Sequence, residues 1–182
     1  MDIFLVRHGE AAASWGESPD PGLSTVGVQQ AESAAAQLMQ HLHDHTVIWS
    51  SPLRRAVETA GPLARAMRQS VQEDAAYREV PSPVPLSQRQ VWLRHFMQQK
   101  WPEQGEDLLA WRREIFQRLL ELPAPAVVFT HFLVINAVVG QLLDRDEILY
   151  FWPANGSITH LRHNGAALEL VALGDAMPTQ VN

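Results

Sequence analysis

Ile3-Phe4-Leu5-Val6-Arg7-His8-Gly9-Glu10 is a run of four apolar residues followed at once by a guanidinium, an imidazole, a glycine and a carboxylate. An apolar run closed by a charged pair and a glycine reads as a buried strand that ends in a tight loop. The loop sets His8 beside Arg7. A neighbouring cation disfavours the imidazolium, so His8 is held towards its neutral, nucleophilic form. A guanidinium also grips an anionic substrate through paired hydrogen bonds. The pair points to attack on a phosphoryl group; a match of this length equally suits a histidine with a structural place in a loop.

Outward from this stretch, strand and helix patterns alternate. Val28, Ala31, Ala35, Leu38 and Leu42 recur at three- and four-residue steps, which predicts an amphipathic helix over 24–41 with Ser24 as its N-cap. A second strand is expected over 46–50, and Ser51-Pro52 reads as the start of a helix running to about residue 68. A third strand is expected over 70–74. Pro81, Pro83 and Pro85 exclude regular structure between Val80 and Leu86. Helices are expected over 86–99 and 106–122, then an apolar strand over 126–129 and a helix over 133–143. Strands over 157–163 and 167–173 close a hairpin on the two-residue turn Asn164-Gly165, leaving 173–182 as a loose tail. The alternation predicts an α/β protein, a three-layer α/β/α sandwich with a mainly parallel sheet. Its 182 residues suit one domain, 1–182, built on one substantial core.

Composition narrows the classes of function. An apolar fraction of 46% with 19% charged residues belongs to a soluble globular chain. A net charge of −6 argues against a nucleic-acid partner while allowing a local cationic pocket. The absence of cysteine excludes disulfides, a thiolate nucleophile and a cysteine zinc site. The N-terminal residues lack the basic flank and long apolar core of a secretory signal. The stretch 126–143 approaches membrane-spanning length, but Thr130, His131, Asn136 and Gln141 interrupt it, so a buried strand and helix account for it better. A cytoplasmic protein without a membrane partner is expected. His41, His43 and His45 flank Asp44 at an expected helix end, and two-residue spacing does not put helical neighbours on one face; no metal is expected there.

Parallel sheets collect ligands at the carboxyl ends of their strands. His8 lies just past the first expected strand, Arg54 and Arg55 in the turn after the second, and His131 just past the strand over 126–129. Arg7, His8, Arg55 and His131 would then surround one anion about the size of a phosphate, aided by a helix N-terminus. Taken singly, each has an ordinary reading: the arginines as a solvated face, His131 as a hydrogen-bonded core residue. Their shared sheet edge favours a site.

Arg7-His8-Gly9-Glu10, then Leu23-Ser24-Thr25-Val26-Gly27, then Ser51-Pro52-Leu53-Arg54-Arg55-Ala56-Val57-Glu58-Thr59-Ala60, then Thr130-His131 and Asn155-Gly156-Ser157-Ile158-Thr159 resemble, in order, the blocks of the histidine phosphatase superfamily, which includes the cofactor-dependent phosphoglycerate mutases. The resemblance implies a phosphoglycerate mutase-like fold and a phosphohistidine formed on His8 and hydrolysed by water. Arg7, Arg55 and His131 would hold the transferring oxygens, with no metal or cofactor needed. The second His8 nitrogen should donate to an acceptor such as a backbone carbonyl, fixing the tautomer. Glu79 falls where the family often places the acid that protonates the leaving oxygen, a position that equally suits a solvated loop residue, with Glu10, Glu17 and Asp20 as weaker substitutes.

Three departures stand out: Val80-Pro81-Ser82-Pro83 follows Glu79 where a segment with glycine and tryptophan is common, Ala11 stands where threonine is frequent, and Phe132-Leu133 replaces a usual glycine pair. Substrate choice would reside in 11–22 and 78–106, with Trp15 and Phe132 as candidate binding residues and Arg78, Arg89, Arg94 and Lys100 as further cations. Trp92 and Trp101 suit either stacking on a substrate or the core. The expected function is hydrolysis of a phosphomonoester, on a small metabolite or a phosphoprotein. A phospho-ligand binding or regulatory module with weak or no catalysis is the alternative. A phosphoglycerate-type mutase fits less well, because a chain with short insertions has little with which to retain and reorient an intermediate.

Overall fold

Apolar runs buried on both faces place two strands at the centre of this chain. The computed structural model describes residues 1–13 and 18–177. Its elements run β1 (Asp2–Arg7), α1 (Thr25–Leu38), β2 (Val47–Ser50), α2 (Arg54–Met67), β3 (Gln72–Glu73), α3 (Leu86–Phe96), α4 (Glu106–Leu120), β4 (Ala126–Thr130), α5 (Phe132–Leu142), β5 (Ile158–His163) and β6 (Leu168–Ala172). The sheet order is β3-β2-β4-β1-β5-β6. The first four strands are mutually parallel, and β5 and β6 each run antiparallel to the strand before them in that order. This is the mainly parallel α/β sheet expected.

Side-chain alternation in β1 and β4 builds the layers. Ile3, Leu5, Ala126 and Val128 pack with Ile115 and Leu119 of α4 and Val134 and Val138 of α5. Phe4, Val6, Val127 and Phe129 point the other way, onto Ala34 and Leu38 of α1 and Ala60 and Leu63 of α2. A third cluster fastens α3 to α5 through Val80, Leu93, Phe96, Trp101, Phe132 and Leu133. Trp101 is buried with the Arg112 guanidinium 4.6 Å from its ring, and Trp92 stacks on Phe96 at 4.8 Å. Both tryptophans therefore belong to this core.

Several boundaries differ from expectation for local reasons. Ser24 does cap α1, accepting from the Gly27 N–H at 3.0 Å. Helix α2 starts at Arg54, two residues later than Pro52, because the Ser51 hydroxyl accepts from the Leu53 N–H at 3.2 Å and holds a turn before the helix. The β5–β6 turn is not the two-residue form. His163 pairs with Leu168, and Asn164 folds the four residues 164–167 by accepting from the Ala166 and Ala167 N–H groups. Nor is the tail loose from 173: Ala154 N donates to Asp175 O, Met177 N donates to Trp152 O, and Pro153 bridges to Ala176. Residues 178–182 of that expected tail lie outside the described residues. Among the described residues no helix is long and apolar enough to cross a membrane.

Candidate active site

Parallel register brings the strand ends level. Arg7 pairs with Thr130 and Ser50 with Phe129, so His8, Ser51 and His131 follow their strands on one sheet edge. The His8 N–H donates to Thr130 O at 2.9 Å, which ties the first loop to the end of β4. His8 Nδ1 lies 2.7 Å from Gly9 O. A carbonyl only accepts, so Nδ1 carries the proton and Nε2 keeps its lone pair. Arg55 Nε donates to that Nε2 at 3.2 Å.

The same guanidinium reaches the second imidazole, with Arg55 Nη2 3.3 Å from His131 Nδ1. Because a guanidinium only donates, His131 Nδ1 accepts and its Nε2–H donates to Ser51 Oγ at 2.8 Å. The two imidazole centroids are 5.1 Å apart. Burial, then Arg55 and Arg7, hold the His8 pKa well below the usual imidazole value. Burial, then His8 and Arg55, do the same for His131. Both rings are neutral at physiological pH.

Packing of the loop explains why a glycine follows His8. A Cβ on Gly9 would sit 2.5 Å from Gly27 O, and one on Gly27 only 2.1 Å from Glu10 O, so the loop rests directly on the first turn of α1. Gly9 N donates to Thr59 Oγ1 at 3.0 Å, and that hydroxyl donates to Arg55 O at 2.6 Å. From the other side, Gly156 N donates to Arg7 O and Asn155 Nδ2 to His8 O.

Arg7 is buried behind this centre. Its Nη1 donates to Pro153 O at 2.6 Å and lies 3.3 Å from Met177 Sδ, while its guanidinium carbon is 5.4 Å from the Phe132 ring centroid. Phe132 in turn stacks on Trp152 at 5.2 Å. Burial pulls the Arg7 pKa down to about 10, against the opposing pull of Glu79, so the side chain stays charged at neutral pH. Arg7 Nε is buried without a partner among the described residues.

Glu79 is buried beside these groups. Its Oε1 accepts from the Val80 N–H at 3.0 Å, and the Leu133 N–H also bonds the carboxylate. Burial pushes its pKa up, opposed by those two N–H groups and by Arg55 and Arg89. Thr130 Oγ1 donates to Tyr77 O at 2.8 Å, which anchors the turn before Glu79 to the end of β4.

His8, Ala11, Arg55, Glu79 and Phe132 line a cavity of about 560 Å³; Arg7 and His131 lie beneath it, reaching its lining through Phe132 and Arg55. Arg78 and Arg89 are on its wall, whereas Arg94 and Lys100 are exposed and do not line it. Arg54 is exposed and pairs with Glu58 at 2.6 Å, the solvated-face reading. Asp20 Oδ1 stands 4.0 Å from Arg55 Nη1, and Glu10 accepts from Ser24 Oγ at the surface. Trp15 and Glu17 lie outside the described residues. No cluster able to hold a metal occurs among the described residues, and the His43 and His45 rings stack at 5.7 Å.

The positioning roles of Ser51, Thr59, Asn155 and the Pro153 carbonyl escaped the sequence reading. For Ser51 a signal existed, since it stands one residue past β2 as His8 does past β1. For the Pro153 carbonyl none did, because every residue carries one.

Two neutral imidazoles bridged by a guanidinium, a second buried arginine and a carboxyl with a raised pKa form a cationic cluster able to hold an anion beside a group that can move a proton. The family model of the histidine phosphatase superfamily (branch 1) matches residues 3–176, and the chain belongs to that superfamily. Solved structures share its fold. The phosphoserine phosphatase of Entamoeba histolytica, in complex with 3-phosphoglyceric acid, is 22% identical over 97% of this chain and 98% of its own, with a TM-score of 0.75. A mycobacterial glucosyl-3-phosphoglycerate phosphatase is 24% identical over 97% of this chain and 99% of its own, at 0.70. A protein of Thermus thermophilus is 26% identical over 97% of this chain and 100% of its own, at 0.63. A search of curated proteins found no match.

Proposed function

We propose that the protein is a phosphatase that hydrolyses a phosphomonoester through a phosphohistidine on His8. One observation carries this: a buried imidazole whose Nδ1 is committed to Gly9 O, leaving an unprotonated Nε2 3.2 Å from Arg55 Nε. His8 Nε2 attacks phosphorus as the ester P–O bond breaks. Arg55 on the cavity wall takes the charge on the transferring oxygens, and the buried Arg7 guanidinium beneath adds its positive field. His131, held by Ser51 and Arg55, completes the cradle. Glu79, whose pKa burial raises, gives its proton to the departing oxygen. Its carboxylate then takes a proton from the water that attacks the phosphohistidine, releasing phosphate and free His8.

Small phosphorylated metabolites suit the cavity of about 560 Å³ better than a phosphoprotein does. The related structures are named for phosphoserine and glucosyl-3-phosphoglycerate, and a histidine-to-alanine variant of the former enzyme was crystallised with phosphoserine. A cysteine-free chain requires no oxidising compartment, in keeping with work in the cytoplasm. The binding-module alternative rested on the altered residues after Glu79 and His131. Buried Glu79 with its raised pKa, and Phe132 as a packed wall, favour catalysis instead.

Turnover of 4-nitrophenyl phosphate in the presence of a chelator tests the reading. His8→Ala is expected to lower kcat by at least about a thousandfold. Rapid quench should trap acid-labile, base-stable phosphate on the wild type and none on the variant. Wild-type protein that binds phosphate without turnover would instead establish the binding module.

A further inference from the structure

The cavity carries more positive charge than one phosphoryl group requires. Arg7 and Arg55 suffice for a phosphomonoester dianion, with Asp20 offsetting part of the Arg55 charge at 4.0 Å. Arg78 and Arg89 also stand on the wall, where Glu79 is the one carboxyl among the described lining residues. Even with that carboxylate charged, the described wall carries three guanidinium groups, Arg55, Arg78 and Arg89, against one carboxyl.

Arg89 is the better placed of the two. It projects from α3, half-buried, with Nη1 donating to Ser82 Oγ at 2.8 Å and Nη2 to Val80 O at 3.3 Å. These contacts fix the guanidinium against the segment that carries Glu79 and use two of its five N–H groups. Both acceptors are neutral, and no carboxylate of the described residues forms an ion pair with it. A fixed, half-buried guanidinium with free donors, in a cavity beside the scissile bond, is matched by an anion on the substrate. Leu86 and Leu93, three and four residues from Arg89 on α3, line the cavity with Trp111 and suit a short carbon skeleton between two charged ends.

Resting on the phosphatase reading above, we infer that the leaving group bears its own anion, a carboxylate or a second phosphate, and that Arg89 is the residue that selects it. Arg78 stands at the exposed rim and adds to the attraction.

Two matched pairs of esters test the assignment: 3-phosphoglycerate against glycerol 3-phosphate, and propane-1,3-diol bisphosphate against propyl phosphate. The wild type is expected to prefer the doubly charged member of one pair. Preference in the first pair identifies a carboxylate, and in the second a phosphate. Arg89→Gln should reduce that preference at least about tenfold, mainly through KM, and Arg89→Lys should keep a larger share of it. No preference in either pair, or an equal loss on all four esters with Arg89→Gln, overturns the inference; equal loss is what a purely structural role would give. If neither these esters nor 4-nitrophenyl phosphate is hydrolysed, the phosphatase reading fails on its own. Calorimetric binding of the same four compounds to the wild type and Arg89→Gln then decides the Arg89 assignment by the same ratio.

Discussion

Glu79 must be neutral to donate a proton and charged to take one back, and its surroundings set the balance. Burial raises its pKa, while the Val80 and Leu133 N–H groups stabilise the carboxylate that forms. Glu79→Gln keeps the shape and removes the proton. It should slow alkyl phosphates about 10²- to 10⁴-fold, and aryl phosphates far less because a phenolate leaves without protonation. On alkyl esters, wild-type kcat should fall as pH rises through the raised pKa of Glu79, and the variant should lose that limb; pH–rate profiles on both ester types check this. Equal slowing of both would remove Glu79 from the acid role. The stability effect has its own sign. A carboxyl whose folded pKa lies above its unfolded value adds stability that is full below the unfolded pKa and fades as pH rises through the folded one. Thermal melts should therefore show Glu79→Gln gaining on the wild type towards alkaline pH.

Helix α1 shows how a single element can position chemistry it does not contribute to. Its Gly27 would ordinarily be a weakness, since alanine is favoured over glycine in a helix interior by about 1 kcal/mol. Here the Glu10 carbonyl occupies the space a Cβ needs, at 2.1 Å. Backbone cannot yield as a flexible side chain does, so Gly27→Ala should destabilise by about 2 kcal/mol or more and lower kcat by displacing the Gly9–Glu10 loop. Gly61 in α2 is the control. Its nearest obstacle is the end of the Arg65 side chain at 3.3 Å, so Gly61→Ala should be neutral or stabilising. Urea titrations of both variants, with kcat beside them, check the contrast. At this scale the chain was mostly readable. The 3.6-residue pattern and Ser24 located α1, and the apolar runs located β1 and β4. Helix α2 and the β5–β6 turn were placed wrongly because Ser51 and Asn164 spend their side chains on nearby N–H groups, a choice local propensity does not settle.

Across the whole molecule, an acidic chain with net charge −6 encloses a cavity walled by three arginines, and two imidazoles are kept neutral beneath and within it. Both histidines have folded pKa values well below 6.5. Their contribution to stability is therefore present above about pH 6.5 and is lost as pH falls towards the folded values, because the unfolded chain takes up protons first. Each costs at most about 1.4 kcal/mol per pH unit over that window. Denaturant unfolding at pH 7, 6 and 5 should show a shallower decline for His131→Asn than for the wild type. Parallel curves would mean that His131 is already protonated in the fold. Glu79 acts in the opposite direction but is common to both proteins, so the comparison between variants isolates the imidazole.

What the chain determined by itself was the kind of fold and the sheet edge that His8, Arg55 and His131 share. Periodicity separates strands from helices, parallel strands end on one edge, and His8, Arg55 and His131 each follow a strand on that edge. Tertiary structure alone decided how those groups are used: the Gly9 carbonyl that fixes the His8 tautomer, the Ser51 hydroxyl that orients His131, the burial that raises the Glu79 pKa, and the turn of Arg7 towards Pro153. The division has a physical cause. Chain direction and burial period are properties of neighbouring residues, whereas hydrogen-bond partners and desolvation arise from atoms that meet only when distant segments pack.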